Sequence, residues 1–300
     1  MRRAIARAMM TAIVPVLLMV PFVSGCQSKS EKLVFEANDT AKKAMESSPD
    51  DREKLLNQAR DMLHEAVKDD PKNLDAWKLL GQLDEVLGHP DDAGKDFNEA
   101  SALDPTDQKL MQKARMYRAI QQMVDNANGA LTQIKSGDTA GGMAALKDAL
   151  LATHSKFTRD KVTAIIAQAV PLVAQTGDQQ VKDKKYAAAV TTYDQAVRGY
   201  IMLAEAQGKH SLDPACDAVM HSANEAANSA GTPDATFRLL NDVLTFDPDN
   251  KTANLELAQV YLRRNPPDYD TAADLEERGG ASDAEVKKLR DEAKKHRKKR

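Results

Sequence analysis

Residues of the kinds that catalyse reactions or bind metals are sparse in this chain. The segment DPACDAVMH, residues 213–221, places Cys216 and His221 five positions apart, with Asp213 and Asp217 beside them. A thiol beside an imidazole can act as a nucleophile, and the same side chains can bind zinc. Residues that share a helix face are three or four positions apart, so this spacing favours a buried helix cysteine instead.

Other patterns that would signal catalysis or a metal are weaker still. The six histidines are scattered without ligand spacing, and DPDN at 247–250 lacks the glycine and final glutamate of a calcium loop. That segment is typical of a turn that ends a helix. The sequence contains no phosphate loop, no G-x-S-x-G and no H-E-x-x-H. It therefore predicts no catalytic residue, no metal site and no enzyme activity.

Cys26 follows a leader with three arginines in its first seven residues and an uncharged apolar run over 8–23. A basic start followed by a short apolar stretch is typical of a secretory signal peptide. The run has about 16 residues, fewer than the ~20 of a spanning helix, and Pro15 and Pro21 interrupt it. A transmembrane span is therefore disfavoured, whereas a disulfide to Cys216 stays open if Cys26 is unmodified.

The end of the leader reads Val23-Ser24-Gly25-Cys26, which resembles the lipobox of bacterial lipoproteins. The resemblance implies cleavage before Cys26, a thioether-linked diacylglycerol on its sulfur and an acyl chain such as palmitate on the new terminus, with no other cofactor. Two or three acyl chains hold a protein on a membrane. In this family, an aspartate directly after the cysteine retains the protein in the inner membrane. Gln27 stands there instead, so the resemblance implies sorting to the outer membrane, facing the periplasm, in a Gram-negative cell.

The charge is distributed unevenly along the chain, whose formal net charge is −3. Residues 26–286 contain 30 Lys or Arg against 43 Asp or Glu, whereas residues 287–300 contain nine against two. An acidic body does not attract nucleic acid. A basic C-terminal segment could contact anionic lipid or an acidic cell-wall polymer.

The segment LDAWKLLGQLDEVLGHPDDAGKDFNEASALDPTD, residues 74–107, resembles a 34-residue tetratricopeptide repeat. Asp84 is the exception, because it stands at position 11 where a tyrosine is usual. The repeat predicts helices over 74–87 and 91–103, with small residues where the helices approach. The residues that define the repeat are Trp77, Leu80, Gly81, Ala93, Phe97, Ala100 and Pro105.

Weaker copies of the same pattern extend over most of the chain, with Gly177 and Tyr193 at positions 8 and 24 of one of them. The residue that corresponds to Ala100, in the second helix of each unit, recurs at intervals of 34, 49, 47 and 47 residues. The wider intervals predict longer helices or an extra helix in the later units. The landmark residues are Ala66, Ala100, Ala149, Ala196 and Val243.

The sequence therefore predicts an all-α fold of tetratricopeptide-like helical hairpins that form an α-solenoid. The predicted organisation is a lipoprotein signal peptide over 1–25, a lipidated tether over 26–32, the solenoid over 33–278 and a basic tail over 279–300. Within the tail, Ser282 is a candidate helix cap.

The resemblance to tetratricopeptide repeats implies that positions 2, 5, 9 and 12 of a repeat line a groove for proteins or peptides. In residues 74–107 these positions are Asp75, Lys78, Gln82 and Glu85. Some family members hold a peptide C-terminal carboxylate with a lysine at position 5 and an asparagine at position 9. Lys78 fits that pattern, whereas Gln82 replaces the asparagine and puts such a clamp in doubt.

The predicted function is a membrane-anchored, non-catalytic scaffold that binds other cell-envelope proteins. The sequence leaves two alternatives open. One is a structural lipoprotein that links membrane to cell wall through its basic tail, and the other is a recruiting subunit of an envelope enzyme complex.

Overall fold

The computed structural model describes residues 28–153 and 155–297, so Cys26 and the leader lie outside the described residues. Within those ranges the chain forms thirteen α-helices and one 3₁₀-helix, and no β-strand. None of these helices combines the length and the apolar composition that crossing a bilayer requires. The chain divides into two compact units at residues 121 and 122, inside the fifth helix.

The first unit is built from four helices and the first part of a fifth. They are α1 (Lys29–Glu46), α2 (Pro49–Asp69), α3 (Leu74–Leu87), α4 (Pro90–Leu103) and α5 (Gln108–Lys135).

Capping side chains define where these helices begin. Ser28 and Glu31 form a capping box in which the Glu31 N–H donates to Ser28 Oγ at 3.1 Å and the Ser28 N–H donates to Glu31 Oε2 at 2.8 Å. The α1 helix therefore begins at Lys29, four residues before the predicted start of the repeat region. Pro49 and Pro90 occupy the first turns of α2 and α4, where a missing N–H costs no hydrogen bond.

The hairpin of α3 and α4 is the repeat that the sequence shows most clearly. Its helices span 74–87 and 90–103, within one residue of the predicted bounds. A methyl group on Gly81 would lie 3.0 Å from Cε1 of Phe97, and Leu80 and Ala93 are fully buried. The small residue at position 8 thus lets the two helices approach until the ring fills the space between them.

The core of the first unit continues on both sides of this hairpin. The α1, α2 and α3 helices share one apolar cluster, and Phe97 stacks on Tyr117 of α5 with ring centroids 5.8 Å apart. Phe97 and Tyr117 belong to a second apolar cluster, which joins α4 to α5. Trp77 is half-buried, packs against both clusters and donates from Nε1 to the Pro71 carbonyl at 2.9 Å.

The second unit is built from the remainder of α5, eight further α-helices and a 3₁₀-helix over Pro233–Thr236. The α-helices are α6 (Thr139–Leu151), α7 (Lys156–Lys182), α8 (Tyr186–Ala206), α9 (Ala215–Ser229), α10 (Phe237–Phe246), α11 (Lys251–Arg263), α12 (Tyr269–Gly279) and α13 (Asp283–Arg297).

The α7 and α8 helices form a longer version of the same hairpin, with 27 and 21 residues. A methyl group on Gly177 would lie 2.6 Å from Cε1 of Tyr193, whose hydroxyl donates to Asp178 Oδ1 at 2.7 Å. Lengthened helices therefore account for the wide repeat spacing in this region. The predicted fold class, all-α with tetratricopeptide-like hairpins, is confirmed.

The basic C-terminal segment contains α13, which packs against α12. The Glu285 N–H donates to Ser282 Oγ at 3.4 Å at the start of the helix, and Val286 and Ala293 are buried. Arg290 pairs with Asp274 and Glu277 of α12. Most of the described part of the tail thus forms a helix that packs on α12.

Candidate partner-binding surfaces

The four predicted groove residues lie on one stripe of α3, and each is half-buried. Their spacing of three, four and three residues places them on a common helix face. Lys78 Nζ lies 3.1 Å from Asp107 Oδ2. Glu85 accepts hydrogen bonds from Lys113 Nζ and from the Tyr117 hydroxyl, the latter at 3.0 Å.

Two of the four predicted groove residues are therefore engaged within the chain. The Lys78 ammonium, which a carboxylate clamp would need, faces the carboxylate of Asp107. Asp75 and Gln82 make no side-chain hydrogen bond or ion pair to any residue that the structure describes. The α3 stripe consequently offers a partner two polar side chains and few unpaired charges.

A buried charge cluster surrounds Asp84, the residue that departs from the repeat pattern. Asp84 is fully buried and accepts hydrogen bonds from the Arg60 guanidinium. His89 Nδ1 lies 3.3 Å from Asp84 Oδ1, and Arg60 also donates to Asp92 Oδ2 at 3.0 Å. Burial and the neighbouring Asp84 raise the pKa of Asp96 to about 8, which keeps that carboxyl largely protonated at neutral pH.

This cluster was not predicted, although its signal was visible in the sequence. Asp84 replaces an aromatic residue at a position that faces the hairpin interior, and a carboxylate there needs a cationic partner. Arg60 supplies it from α2, 24 residues earlier. No group of acidic, histidine or cysteine side chains among the described residues could hold a metal ion, and the cluster acts as a structural link between α2, α3 and α4.

An open cleft of about 600 Å³ lies within the second unit, between side chains of α6, α8 and α10. These three helices contain Ala149, Ala196 and Val243, the positions predicted to lie in second helices of repeats, whereas the predicted groove lies on a first helix. The apolar residues that line the cleft are Ala140, Met143, Ala144, Ile201, Met202 and Phe246. The polar residues that line it are Lys147, Gln195, Arg198, Glu205, Asp242 and Thr245.

The α8 helix contacts both α6 and α10 and supplies a central row of cleft residues. Arg198 holds the α10 side in place, because its guanidinium pairs with Asp194 of α8 at 2.8 Å and with Asp242 of α10 at 2.8 Å. Lys147 and Glu205 are exposed and form no ion pair with any described residue. The cleft thus combines an apolar lining with charged groups that are available to a partner.

The cysteine and histidine of the 213–221 segment are not brought together as a reactive pair. Cys216 is fully buried in α9, and burial raises the pKa of its thiol to about 12. His221 is exposed, with Nδ1 2.6 Å from Glu256 Oε1. The predicted buried helix cysteine is confirmed, and this thiol is not a nucleophile at neutral pH.

The comparisons with known proteins assign no family to the chain. No protein-family model matches the chain, and no curated protein matches it. Among solved structures, the P58(IPK) TPR domain has 15% identity and a TM-score of 0.29, with 89% of this chain and 98% of that chain covered.

Two further solved structures show a similar distant likeness. A tetratricopeptide repeat protein from Parabacteroides merdae has 13% identity and a TM-score of 0.22, covering 87% of this chain and 97% of that one. Yeast Tom70 has 15% identity and a TM-score of 0.27, covering 92% of this chain and 65% of that one. These scores are too low for whole-chain superposition, so no residue role is carried over from them.

Proposed function

We propose that this protein is a non-catalytic, membrane-anchored helical-repeat scaffold that binds other proteins of the cell envelope. The cleft of the second unit is the observation that carries this proposal. It presents apolar side chains from three helices and charged groups without internal partners, a combination that marks sites of protein contact. Membrane attachment and the envelope location rest on the Val23–Cys26 pattern at the end of a basic and apolar leader.

The predicted groove on α3 supports partner binding less strongly than the cleft does. Lys78 and Glu85 already form ion pairs with the chain's own side chains, and a partner would have to compete with them. A role for Asp75 and Gln82 in contacting an envelope protein or peptide stays a proposal.

A structural link between membrane and cell wall through the basic tail is less well supported. In α13, Lys294 and Lys295 pair with acids of the same helix, and Arg290 and Arg297 pair with acids of α12. These pairs engage four of the nine basic side chains of residues 287–300, which weakens the attraction of the segment for anionic lipid or wall polymer. Recruitment of an envelope enzyme would be one instance of the scaffold function, with the enzyme as partner.

Site-specific cross-linking in living cells would test the scaffold function. A photoreactive benzoylphenylalanine replaces Ala144, which is exposed and lines the cleft, or Ala164, which is exposed on α7 away from it. We expect discrete protein adducts from position 144 and none of the same adducts from position 164. Identical adducts from both positions, or no adduct from position 144, would contradict the proposal.

A further inference from the structure

We propose that the cleft of the second unit receives an amphipathic α-helix from a partner protein. The bound helix has an apolar stripe, an acidic side chain opposite Lys147 and a basic side chain opposite Glu205. This inference rests on the proposed function and names the chemistry of the partner segment.

The residues that α8 contributes have the spacing of a helix–helix seam. Gln195, Arg198, Met202 and Glu205 are separated by three, four and three residues, as in the a and d positions of a heptad. At 1.5 Å per residue, this row is about 15 Å long. A helix of about three turns would cover it, whereas an extended segment would cover it with about five residues.

The wall formed by α6 allows a second helix to come close. Ala140 and Ala144 line the cleft one turn apart and are exposed. Small side chains at a helix contact reduce the interaxial distance toward the lower end of the usual 8–10 Å. Leu151, the last residue of α6, lies four residues after Lys147 and is 71% exposed. It adds an apolar side chain to the helix face of Ala140 and Ala144, one turn beyond Lys147.

Two methionines are among the apolar residues that line the cleft. Met143 of α6 is buried, whereas Met202 and Ile201 of α8 and Phe246 of α10 are partly buried and line the cleft. Unbranched methionines adapt to the side chains of a docked helix. An apolar helix face lying in such a groove is an established mode of peptide recognition.

The polar groups of the cleft supply the charge complementarity. Lys147 on α6 and Glu205 on α8 carry opposite charges and have no ion-pair partner in the described parts of the chain. Arg198 is already held by Asp194 and Asp242, so it contributes little net charge. Gln195 also lines the cleft, and its side-chain oxygen is buried without a hydrogen-bond partner in the described residues.

Peptide binding to the full chain held in neutral phosphatidylcholine nanodiscs tests this proposal. The probes are fluorescein-labelled 18-residue peptides with Leu and Met at helical stripe spacing. Four peptides carry the four combinations of Glu and Lys at two flanking positions, a fifth has the same composition in permuted order, and a sixth has a central proline. Fluorescence anisotropy measures each Kd, with empty nanodiscs as the blank.

We expect one of the two peptides that carry one Glu and one Lys to bind about ten-fold more tightly than its charge-reversed counterpart and more tightly than the Glu/Glu and Lys/Lys peptides. The permuted and proline peptides should bind at least about ten-fold more weakly. Lys147→Glu should abolish that difference and make the peptide with two flanking lysines the tightest binder, because positions 147 and 205 are then both acidic. The exposed side chain can be changed without disturbing the core. Lys182→Glu makes the same charge change at an exposed position outside the cleft and should leave every Kd unchanged.

Three results would overturn the helix inference. The first is a permuted or proline peptide that binds as tightly as the best striped peptide. The second is an unaltered charge preference in Lys147→Glu, and the third is no binding of any striped peptide. If cross-linking from position 144 still gave discrete adducts in that case, the scaffold function would stand with a partner segment of another kind. Failure of both experiments would overturn the inference and the proposed function together.

Discussion

Gly177 and Tyr193 are in such close contact that a methyl group on the glycine would lie 2.6 Å from Cε1 of the ring. The two residues are sixteen positions apart, as are Gly81 and Phe97 in the first unit. In both hairpins the absence of a side chain on the first helix makes room for an aromatic ring from the second. The same pairing thus recurs in the clearest repeat and in a degenerate one with much longer helices.

Gly177→Ala should destabilise the second unit by about 1–3 kcal/mol, because the added methyl must displace a buried ring in a closely packed core. Gly129→Ala is the matched control, since Gly129 lies in α5 and its added methyl would meet no atom within 4 Å. That control should be neutral or stabilise the chain by up to ~1 kcal/mol. Urea unfolding followed by circular dichroism measures both, and equal stabilities would contradict the close contact.

Gly81→Trp should disrupt the hairpin of α3 and α4, because the space beside Gly81 is already filled by the Phe97 ring at 3.0 Å. We expect a loss of helical content and a lower Tm for the first unit. Gly88→Ala is a milder comparison, since Gly88 ends α3 with φ at 78° and only the backbone would be strained. An unchanged spectrum and Tm in Gly81→Trp would count against the assignment of this repeat.

The helices of this fold could be predicted more fully than its surfaces. The 74–87 helix follows from local signals, namely the apolar spacing, the Asn73 cap and Gly88 in the left-handed conformation. The cleft could not be predicted, because its residues come from three helices spread over more than 100 positions of degenerate repeats. The position of the cleft depends on how α6 and α10 pack on α8, and a local sequence pattern contains no information on that packing.

The predicted groove shows the same limit in a different way. The helical spacing correctly places Lys78 and Glu85 on one face of α3, but it gives no information on the side chains that oppose them. Asp107, Lys113 and Tyr117 come from the following segment and satisfy both charges. The lipid attachment at Cys26 lies outside the described residues and stays a prediction.

Arg60→Met should destabilise the first unit by about 3–5 kcal/mol, because it leaves the fully buried Asp84 carboxylate without its cationic partner. The double variant Arg60→Met with Asp84→Leu should recover part of that loss, since no charge then remains buried. Arg115→Met, at an exposed position of α5, should change stability by less than ~0.5 kcal/mol. Urea unfolding that gave the same loss for Arg60→Met and Arg115→Met would contradict this account.

Asp96→Asn should make the first unit more stable at about pH 9 and change its stability much less at about pH 4. The pKa of Asp96 is raised to about 8 in the folded chain, first by burial and then by Asp84, against ~3.9 in an unfolded chain. The folded state therefore binds the extra proton, and stability falls as pH rises from about 4 through 8. Asparagine cannot ionise, and each pKa unit is worth ~1.4 kcal/mol, so the gain at pH 9 should exceed ~1 kcal/mol.

The control for that titration is Asp61→Asn, because Asp61 is exposed on α2 in the same unit. Its effect on the free energy of unfolding should be small and nearly the same at both pH values. Parallel stability–pH curves for the Asp96 variant and the unmodified chain would show that Asp96 is ionised in the folded state.

Cys26→Ser should leave an uncleaved chain without acyl groups, since only a thiol at this position can form the thioether that the lipobox implies. Metabolic labelling with palmitate, together with mass spectrometry of the N-terminus, measures both processing and acylation. Cys216→Ser is the matched control, because that thiol is fully buried in α9, and it should leave labelling and cleavage unchanged. Normal cleavage and labelling in Cys26→Ser would refute the lipoprotein prediction and leave the scaffold without a membrane anchor. Cross-linking from position 144 would in that case still test partner binding at the cleft.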